Sequence, residues 1–225
     1  MVGKKKLLKN KDFDMHENTF IDLIHFVKQN RFLLVKDDIF CLKAFISGWF
    51  VRTNAVVKDE QSLELFQKWI EERYCETNTV HSWANIISYY AEDERIALNN
   101  FFELFSDFYY YHFSNIEQSK NEGMSEVIRI DDLLELINLI KKRAPMYIGK
   151  DNIYCLAAFI NGWYFRDTKT VKNWSLLFDF EDWLFKKMKR KKYSSSWYKL
   201  VNYYSSNGSE ALNNFFVKFE HYLTS

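Results

Sequence analysis

Residues 40–52 read Phe-Cys-Leu-Lys-Ala-Phe-Ile-Ser-Gly-Trp-Phe-Val-Arg, and residues 154–166 repeat them as Tyr-Cys-Leu-Ala-Ala-Phe-Ile-Asn-Gly-Trp-Tyr-Phe-Arg. The two copies lie 114 positions apart, and the same offset holds without a gap from residue 36 to residue 105. Of the 70 positions in that range, 27 are identical in the second copy. Self-similarity at a fixed offset is the signature of an internal duplication. We therefore infer two related units, called repeat 1 and repeat 2 below.

Composition and periodicity both favour helices. The 225 residues include only 6 Gly and 1 Pro, so few tight turns are available, while 48% of the residues are hydrophobic and can form a sizeable core. Apolar residues recur at helical spacing in corresponding segments of the two repeats: Phe20, Leu23, Ile24 and Val27 in one, and Leu133, Leu134, Ile137 and Ile140 in the other. The sequence predicts an all-α protein with about five helices per repeat, packed as one compact body with pseudo-twofold symmetry.

Changes in composition divide the chain into four segments. Residues 1–16 are rich in lysine without periodicity and predict a flexible basic leader. Residues 114–129 form a short polar stretch that we interpret as a linker. Between and after them lie repeat 1, at residues 17–113, and repeat 2, at residues 130–225.

The repeated stretch itself predicts the centre of the fold. Its helix is expected to start at Asp37 in repeat 1 and at Asp151 in repeat 2, where a carboxylate accepts unpaired backbone N–H groups. Pro145 is expected to end the preceding helix of repeat 2. Gly48, like its partner in repeat 2, costs about 1 kcal/mol relative to Ala within a helix, so we expect a neighbouring helix to pass close to it. Trp49 and its partner Trp163 are the predicted core centres.

Several classes of protein are disfavoured. Three cysteines without a CxxC pair or a His-rich spacing argue against a disulfide framework and a zinc site. No phosphate-binding glycine loop, nucleophile elbow or HExxH motif occurs, so we predict no cofactor, no metal and no catalytic residue. No apolar run is long enough to span a membrane, which leads us to expect a cytoplasmic protein.

Two polar features are kept in both repeats. Arg52 and Arg166 close the repeated helix, where we favour a structural ion pair over an anion-binding site. The pairs Asn99-Asn100 and Asn213-Asn214 lie within a predicted helix although Asn is a poor helix former. We expect at least one amide to bond a neighbouring helix or loop, with a ligand-binding amide pair as the alternative.

One stretch differs sharply in charge between the repeats. Residues 71–78 carry a net charge of −2, from Glu71, Glu72, Arg73 and Glu76, whereas residues 185–192 carry +6. The basic residues of the second stretch, with the tyrosine that follows them, are Lys186, Lys187, Lys189, Arg190, Lys191, Lys192 and Tyr193. We predict that these two stretches contact a partner, since complementary charge steers association. The alternative is a solvated helix end whose cations complement the helix dipole.

Repeat 1 also contains Ser-Trp-x-x-Ile-Ile-x-Tyr-Tyr at residues 82–90, followed by Ala-Leu-Asn-Asn-Phe-Phe-Glu-Leu-Phe at residues 97–105. This pattern, which covers one helix pair per repeat, resembles small all-helical bacterial immunity proteins of toxin systems. The resemblance implies an intracellular inhibitor that binds a toxin domain and performs no chemistry. It carries over no site residue.

The expected function is therefore that of a non-catalytic protein-binding module of the immunity or antitoxin type. The alternative is a nucleic-acid-binding protein that acts through residues 186–192, although an isoelectric point of about 7.7 is low for such a protein. A third hypothesis is an enzyme of unrecognised class. Carboxylates with shifted pKa values in a deep pocket would favour it.

Overall fold

The computed structural model describes residues 19–52, 59, 61–76, 79–113, 130–167, 170–188 and 196–225. Within these ranges the protein is all-helical, as predicted, with no strand and a single isolated bridge between Asp132 and Lys172. The α-helices are α1 (Phe20–Gln29), α2 (Ile39–Val51), α3 (Ser62–Arg73), α4 (Trp83–Tyr89), α5 (Glu94–Phe113), α6 (Leu133–Lys142), α7 (Ala144–Ile148), α8 (Ile153–Arg166), α9 (Leu176–Lys187), α10 (Trp197–Tyr203) and α11 (Gly208–Leu223). A 3-10 helix (Arg31–Leu34) lies between α1 and α2.

The predicted leader at 1–16 and linker at 114–129 lie outside the described residues. No helix in the described part of the chain combines the length and the apolar character needed to cross a membrane.

Helices α2 and α8, which hold the repeated stretch, pack against each other more extensively than any other pair of elements. Both are apolar on nearly every side, as expected of helices at the centre of a body. A Cβ atom built on Gly48 would lie 2.0 Å from the carbonyl oxygen of Phe159, and one on Gly162 would lie 2.0 Å from that of Phe45. The predicted close approach of a neighbouring helix is confirmed, and each helix is the other's neighbour.

The contacts between α2 and α8 are reciprocal, because the contact of Gly48 with Phe159 is matched by that of Gly162 with Phe45. Cys41 and Cys155 are buried free thiols that interact with each other. This contact and the burial both raise the pKa of Cys41, which keeps the thiol protonated. Trp49 and Trp163 are fully buried, in agreement with their predicted role as core centres.

The start of each central helix differs from the prediction by one residue. Asp38, not Asp37, caps α2, and its side chain accepts a hydrogen bond from the N–H of Phe40 at 2.8 Å. In repeat 2 the cap is the amide side chain of Asn152, not the carboxylate of Asp151. Both residue types cap well, and the cap is the residue with extended backbone that directly precedes the first helical turn.

Repeat 2 departs from repeat 1 before α8. Pro145 does not end α6, which stops at Lys142; it lies in the first turn of α7, where its missing N–H costs nothing. Helix α7 has 5 residues where the 3-10 helix of repeat 1 has 4. The offset is therefore 113 for the preceding helices, so Leu136, rather than the predicted Leu134, lies on the buried face of α6.

An aromatic cluster forms the core outside the central pair in each repeat. Phe66 on α3 contacts the rings of five aromatic residues of α3, α4 and α5, namely Trp69, Trp83, Phe101, Phe105 and Phe108. Its counterpart Phe180 on α9 contacts Trp183, Phe215, Phe219 and Tyr222. Ring pairs at these separations add about 0.5–1.5 kcal/mol each to the area they bury. Much of the high aromatic content therefore serves the core.

Candidate interaction surfaces

Arg52 at the end of α2 is buried against repeat 2. Its guanidinium lies 4.4 Å from the centre of the Trp163 ring and donates to the hydroxyl of Thr170 at 2.9 Å. Asp167 is 3.9 Å away, within ion-pair distance. Burial lowers the pKa of Arg52, and the carboxylate of Asp167 opposes that shift. The expected structural ion pair is present here.

Arg166 at the end of α8 occupies the reciprocal position without these partners. Its guanidinium lies 4.1 Å from the centre of the Trp49 ring. Among the described residues, its buried Nη1 and Nη2 atoms find no hydrogen-bond acceptor, and neither does the indole nitrogen of Trp49. Burial lowers the pKa of Arg166 to about 10. Among the residues that the structure describes, no carboxylate forms the expected ion pair with Arg166, so the two arginines have different surroundings although they share a repeat position.

This difference predicts unequal responses to loss of the charge. Arg52→Met should lower the free energy of unfolding by about 2–3 kcal/mol, because it removes the charge-assisted hydrogen bond to Thr170 and the ion pair with Asp167. Arg166→Met should change it by less than about 1 kcal/mol, because an unpaired buried cation gives way to an apolar side chain of similar length. Urea denaturation of both variants measures the contrast. Equal losses would show that Arg166 is satisfied in solution as well as Arg52.

The two asparagines of the repeated pair have different surroundings in repeat 2. The side-chain amide of Asn214 donates to the hydroxyl of Ser205 at 2.9 Å and ties α11 to the loop before it. This bond agrees with the structural role expected for one amide of the pair. Asn213 points to the surface and lines a groove considered below.

The acidic stretch of repeat 1 contains a half-buried tyrosine, Tyr74, and lies beside an exposed one, Tyr90. Tyr74 and Tyr90 stack with ring centres 4.7 Å apart, and the hydroxyl of Tyr90 donates to Glu76 at 3.1 Å. That hydrogen bond raises the pKa of Tyr90. Glu72 is exposed, whereas Glu71 accepts a hydrogen bond from Gln67 on its own helix. Of the three glutamates predicted to contact a partner, Glu72 is therefore exposed to solvent and Glu76 adjoins Tyr90.

The basic stretch of repeat 2 is described only in part. Lys186 and Lys187 are exposed in the last turn of α9, where cations also complement the helix dipole. The ammonium of Lys187 lies 5.6 Å from the centre of the Trp183 ring, as Arg73 lies 5.0 Å from Trp69 in repeat 1. The remaining predicted contacts, Lys189, Arg190, Lys191, Lys192 and Tyr193, lie outside the described residues.

Both repeats expose a pair of tyrosines at the end of their fourth predicted helix. Tyr89 and Tyr90 lie at the end of α4, and Tyr203 and Tyr204 at the end of α10. In each pair the ring centres are 5.1 Å apart in an edge-to-face arrangement. Tyr89 is 80% exposed and Tyr203 is 69% exposed, so neither ring serves the core. The sequence contained this signal, since the pair is kept in both copies, but only the structure shows that it faces solvent.

The described residues contain no group of three or more His, Cys, Asp or Glu side chains able to hold a metal ion. Three of the histidines pack against aromatic rings instead: His25 on Tyr109, His112 on Phe108 and His221 on Trp183. Comparison of the chain with protein-family models, curated proteins and solved structures finds no match.

Proposed function

We propose that this chain is a non-catalytic protein-binding module of the immunity or antitoxin type, which binds and neutralises a partner protein. The observation that carries the proposal is the exposed tyrosine pair, kept in both repeats with the same ring geometry. Core packing explains why buried residues are kept after a duplication, but it does not explain exposed ones. Tyrosine is enriched in protein interfaces because its ring buries a large area and its hydroxyl keeps a polar contact.

The charged residues of the stretches at 71–78 and 185–192 support different contacts for the tyrosine surface of repeat 1, at Tyr89 and Tyr90, and that of repeat 2, at Tyr203 and Tyr204. In repeat 1, Glu76 bonds Tyr90 directly and Glu72 is exposed on the same stretch. In repeat 2 the corresponding stretch carries Lys186 and Lys187. A partner with both basic and acidic patches would be steered into a single orientation.

We also propose that the two repeats form two lobes related by a pseudo-twofold axis. The reciprocal contacts of Gly48 with Phe159 and of Gly162 with Phe45 support this arrangement. Such symmetry presents the two tyrosine surfaces as related copies on one rigid body.

Substitution of the exposed tyrosines tests the function. Tyr89→Ala and Tyr203→Ala should each weaken partner binding at least about tenfold, as expected for interface residues of high energetic weight. Both should leave the free energy of unfolding within about 0.5 kcal/mol of wild type, because the rings are exposed. Tyr111→Ala is the matched control, since Tyr111 is 67% exposed and its counterpart in repeat 2 is Ser225.

The partner is identified by affinity capture from the source cell after nuclease treatment and a high-salt wash. One protein should remain in near-equal amount on the wild-type chain and be lost from the tyrosine variants. Expressed alone, that protein should arrest growth, and co-expression of this chain should restore it. Retention of nucleic acid alone before nuclease treatment would favour the basic stretch at 186–192 and reject the proposal, as would a retained protein whose toxicity the chain does not relieve.

A further inference from the structure

A surface groove lies between the end of α6, the start of α7 and one face of α11. Its volume is about 390 Å³. Its lining includes the buried side chains of Leu212 and Phe216 and the exposed residues Pro145, Lys142 and Arg143. This groove is separate from the exposed tyrosine pairs, neither of which lines it.

The charge of the groove is positive. Lys141, Lys142 and Arg143 line it together with one carboxylate, Asp151, which gives three positive charges against one negative. Glu220 pairs with Lys141 and reduces the local sum to +1. Lys142 and Arg143 are exposed and form no ion pair with any residue that the structure describes. Their charges are therefore available to a ligand.

Repeat 1 shows how the same place looks when it is filled. There the guanidinium of Arg31 lies over the ring of Phe102, 5.1 Å from its centre. Phe216 is the counterpart of Phe102 at the offset of 114, and Ala144 is the counterpart of Arg31 at the offset of 113 that relates α1 to α6. Repeat 2 therefore has a methyl group where repeat 1 has a long cationic side chain. The space beside Phe216 is therefore associated with this replacement in repeat 2.

We propose that this groove binds an acidic segment of a partner protein. An apolar side chain of that segment packs on Phe216, in the space left by Ala144, and its carboxylates pair with Lys142 and Arg143. Carboxylate–cation hydrogen bonds of this kind fix orientation, and the exposed apolar lining residues Pro145 and Val217 supply area to be buried. The inference rests on the proposed protein-binding function and specifies the chemistry of one contact that the tyrosine surfaces do not make.

The test uses the full chain and a fluorescein-labelled peptide, Glu-Glu-Leu-Phe-Glu-Leu-Glu, with binding followed by fluorescence anisotropy. The peptide should bind wild type, and its analogue with every Glu replaced by Gln should bind at least tenfold more weakly. Lys142→Ala/Arg143→Ala should weaken binding at least tenfold. The matched control Lys28→Ala/Lys68→Ala removes the same charge from exposed lysines of repeat 1 and should leave binding within twofold of wild type.

Ala144→Arg is the decisive variant. It adds a positive charge but fills the groove as Arg31 does in repeat 1, so binding should fall at least tenfold although the net charge rises. Unchanged or tighter binding to this variant would overturn the proposal and indicate general attraction to positive charge. Absence of peptide binding to wild type, or equal binding of the Gln analogue, would also overturn it. A melting curve like that of wild type shows that each variant is folded.

The same variants separate this inference from the proposed function. A captured partner that Tyr89→Ala loses but Ala144→Arg retains would leave the protein-binding function in place and reject the groove as its contact. A peptide that binds the groove while no toxic partner is captured would reject the immunity function alone.

Discussion

Replacing Trp163 with alanine is expected to lower the free energy of unfolding by about 3–5 kcal/mol, the range for removal of a fully buried aromatic side chain. Trp163 is completely buried, and its indole nitrogen donates to the carbonyl oxygen of Ile130 at 2.8 Å. The guanidinium of Arg52 also lies over its ring. The variant therefore creates a cavity, removes a hydrogen bond and exposes a buried cation to the space left behind. Urea denaturation monitored by circular dichroism measures the loss.

Two comparisons make this expectation specific. Trp174→Ala, at a ring that is 59% exposed, should change the free energy of unfolding by less than about 0.5 kcal/mol. Trp163→Phe should cost about 1 kcal/mol more than Trp49→Phe, because only Trp163 has a hydrogen-bond acceptor for its indole nitrogen among the described residues. A Trp163→Ala variant as stable as wild type would refute its assignment as a core centre.

Gly48→Ala is expected to lower the free energy of unfolding by about 2–3 kcal/mol, near the upper end for overpacking. In an ordinary helix the same change stabilises by about 1 kcal/mol, because Ala is the better helix former. Here the added Cβ would lie 2.0 Å from a backbone oxygen of α8, which no side-chain rotation can move. The sign of the effect is therefore diagnostic, and thermal or urea unfolding reads it directly.

Gly162→Ala should behave in the same way, because its Cβ would meet the backbone of Phe45 at the same distance. The double variant should lose less than the sum of the two single losses, since separation of the helices by one substitution makes room for the other. Ser47→Ala on the same helix is the control and should cost about 1 kcal/mol or less. A stabilising Gly48→Ala would mean that α2 and α8 do not approach as closely in solution.

The central pair of helices could be predicted from sequence because the two glycines and the two tryptophans recur at one fixed offset. The predicted helix caps were wrong by one residue. Asp37 and Asp38 are adjacent and both can cap a helix, and periodicity does not show which of the two keeps an extended backbone. The different surroundings of Arg52 and Arg166 could not be predicted from sequence, because the two residues occupy corresponding positions in the repeats. Their difference arises from Ile130, Thr170 and Asp167, which contact Arg52 only in the folded chain.

The groove in repeat 2 was missed for a different reason. A single offset of 114 pairs Arg31 with Pro145 and hides the replacement of a cation by Ala144. Before residue 36 the offset between the repeats is 113. This difference arises because α7 has one residue more than the 3-10 helix of repeat 1, which becomes visible only in the folded backbone. The positions of Val35 and Gly149 mark this junction, since both have a φ of 71°. Glycine adopts that backbone without strain, whereas a β-branched residue does not.

The packing of α2 on α8 has a consequence for how the chain folds. Its contacts join residues about 114 positions apart, so the largest interface forms only after a loop of more than a hundred residues has closed. Contacts between distant parts of a chain are slow to form, because the entropy of closure is lost before the contact is gained. Until then the small-residue face of α2 is uncovered and fits the α8 of any chain nearby. Two molecules folding at high concentration can thus exchange halves, and the same reciprocal surfaces would hold the exchanged dimer together.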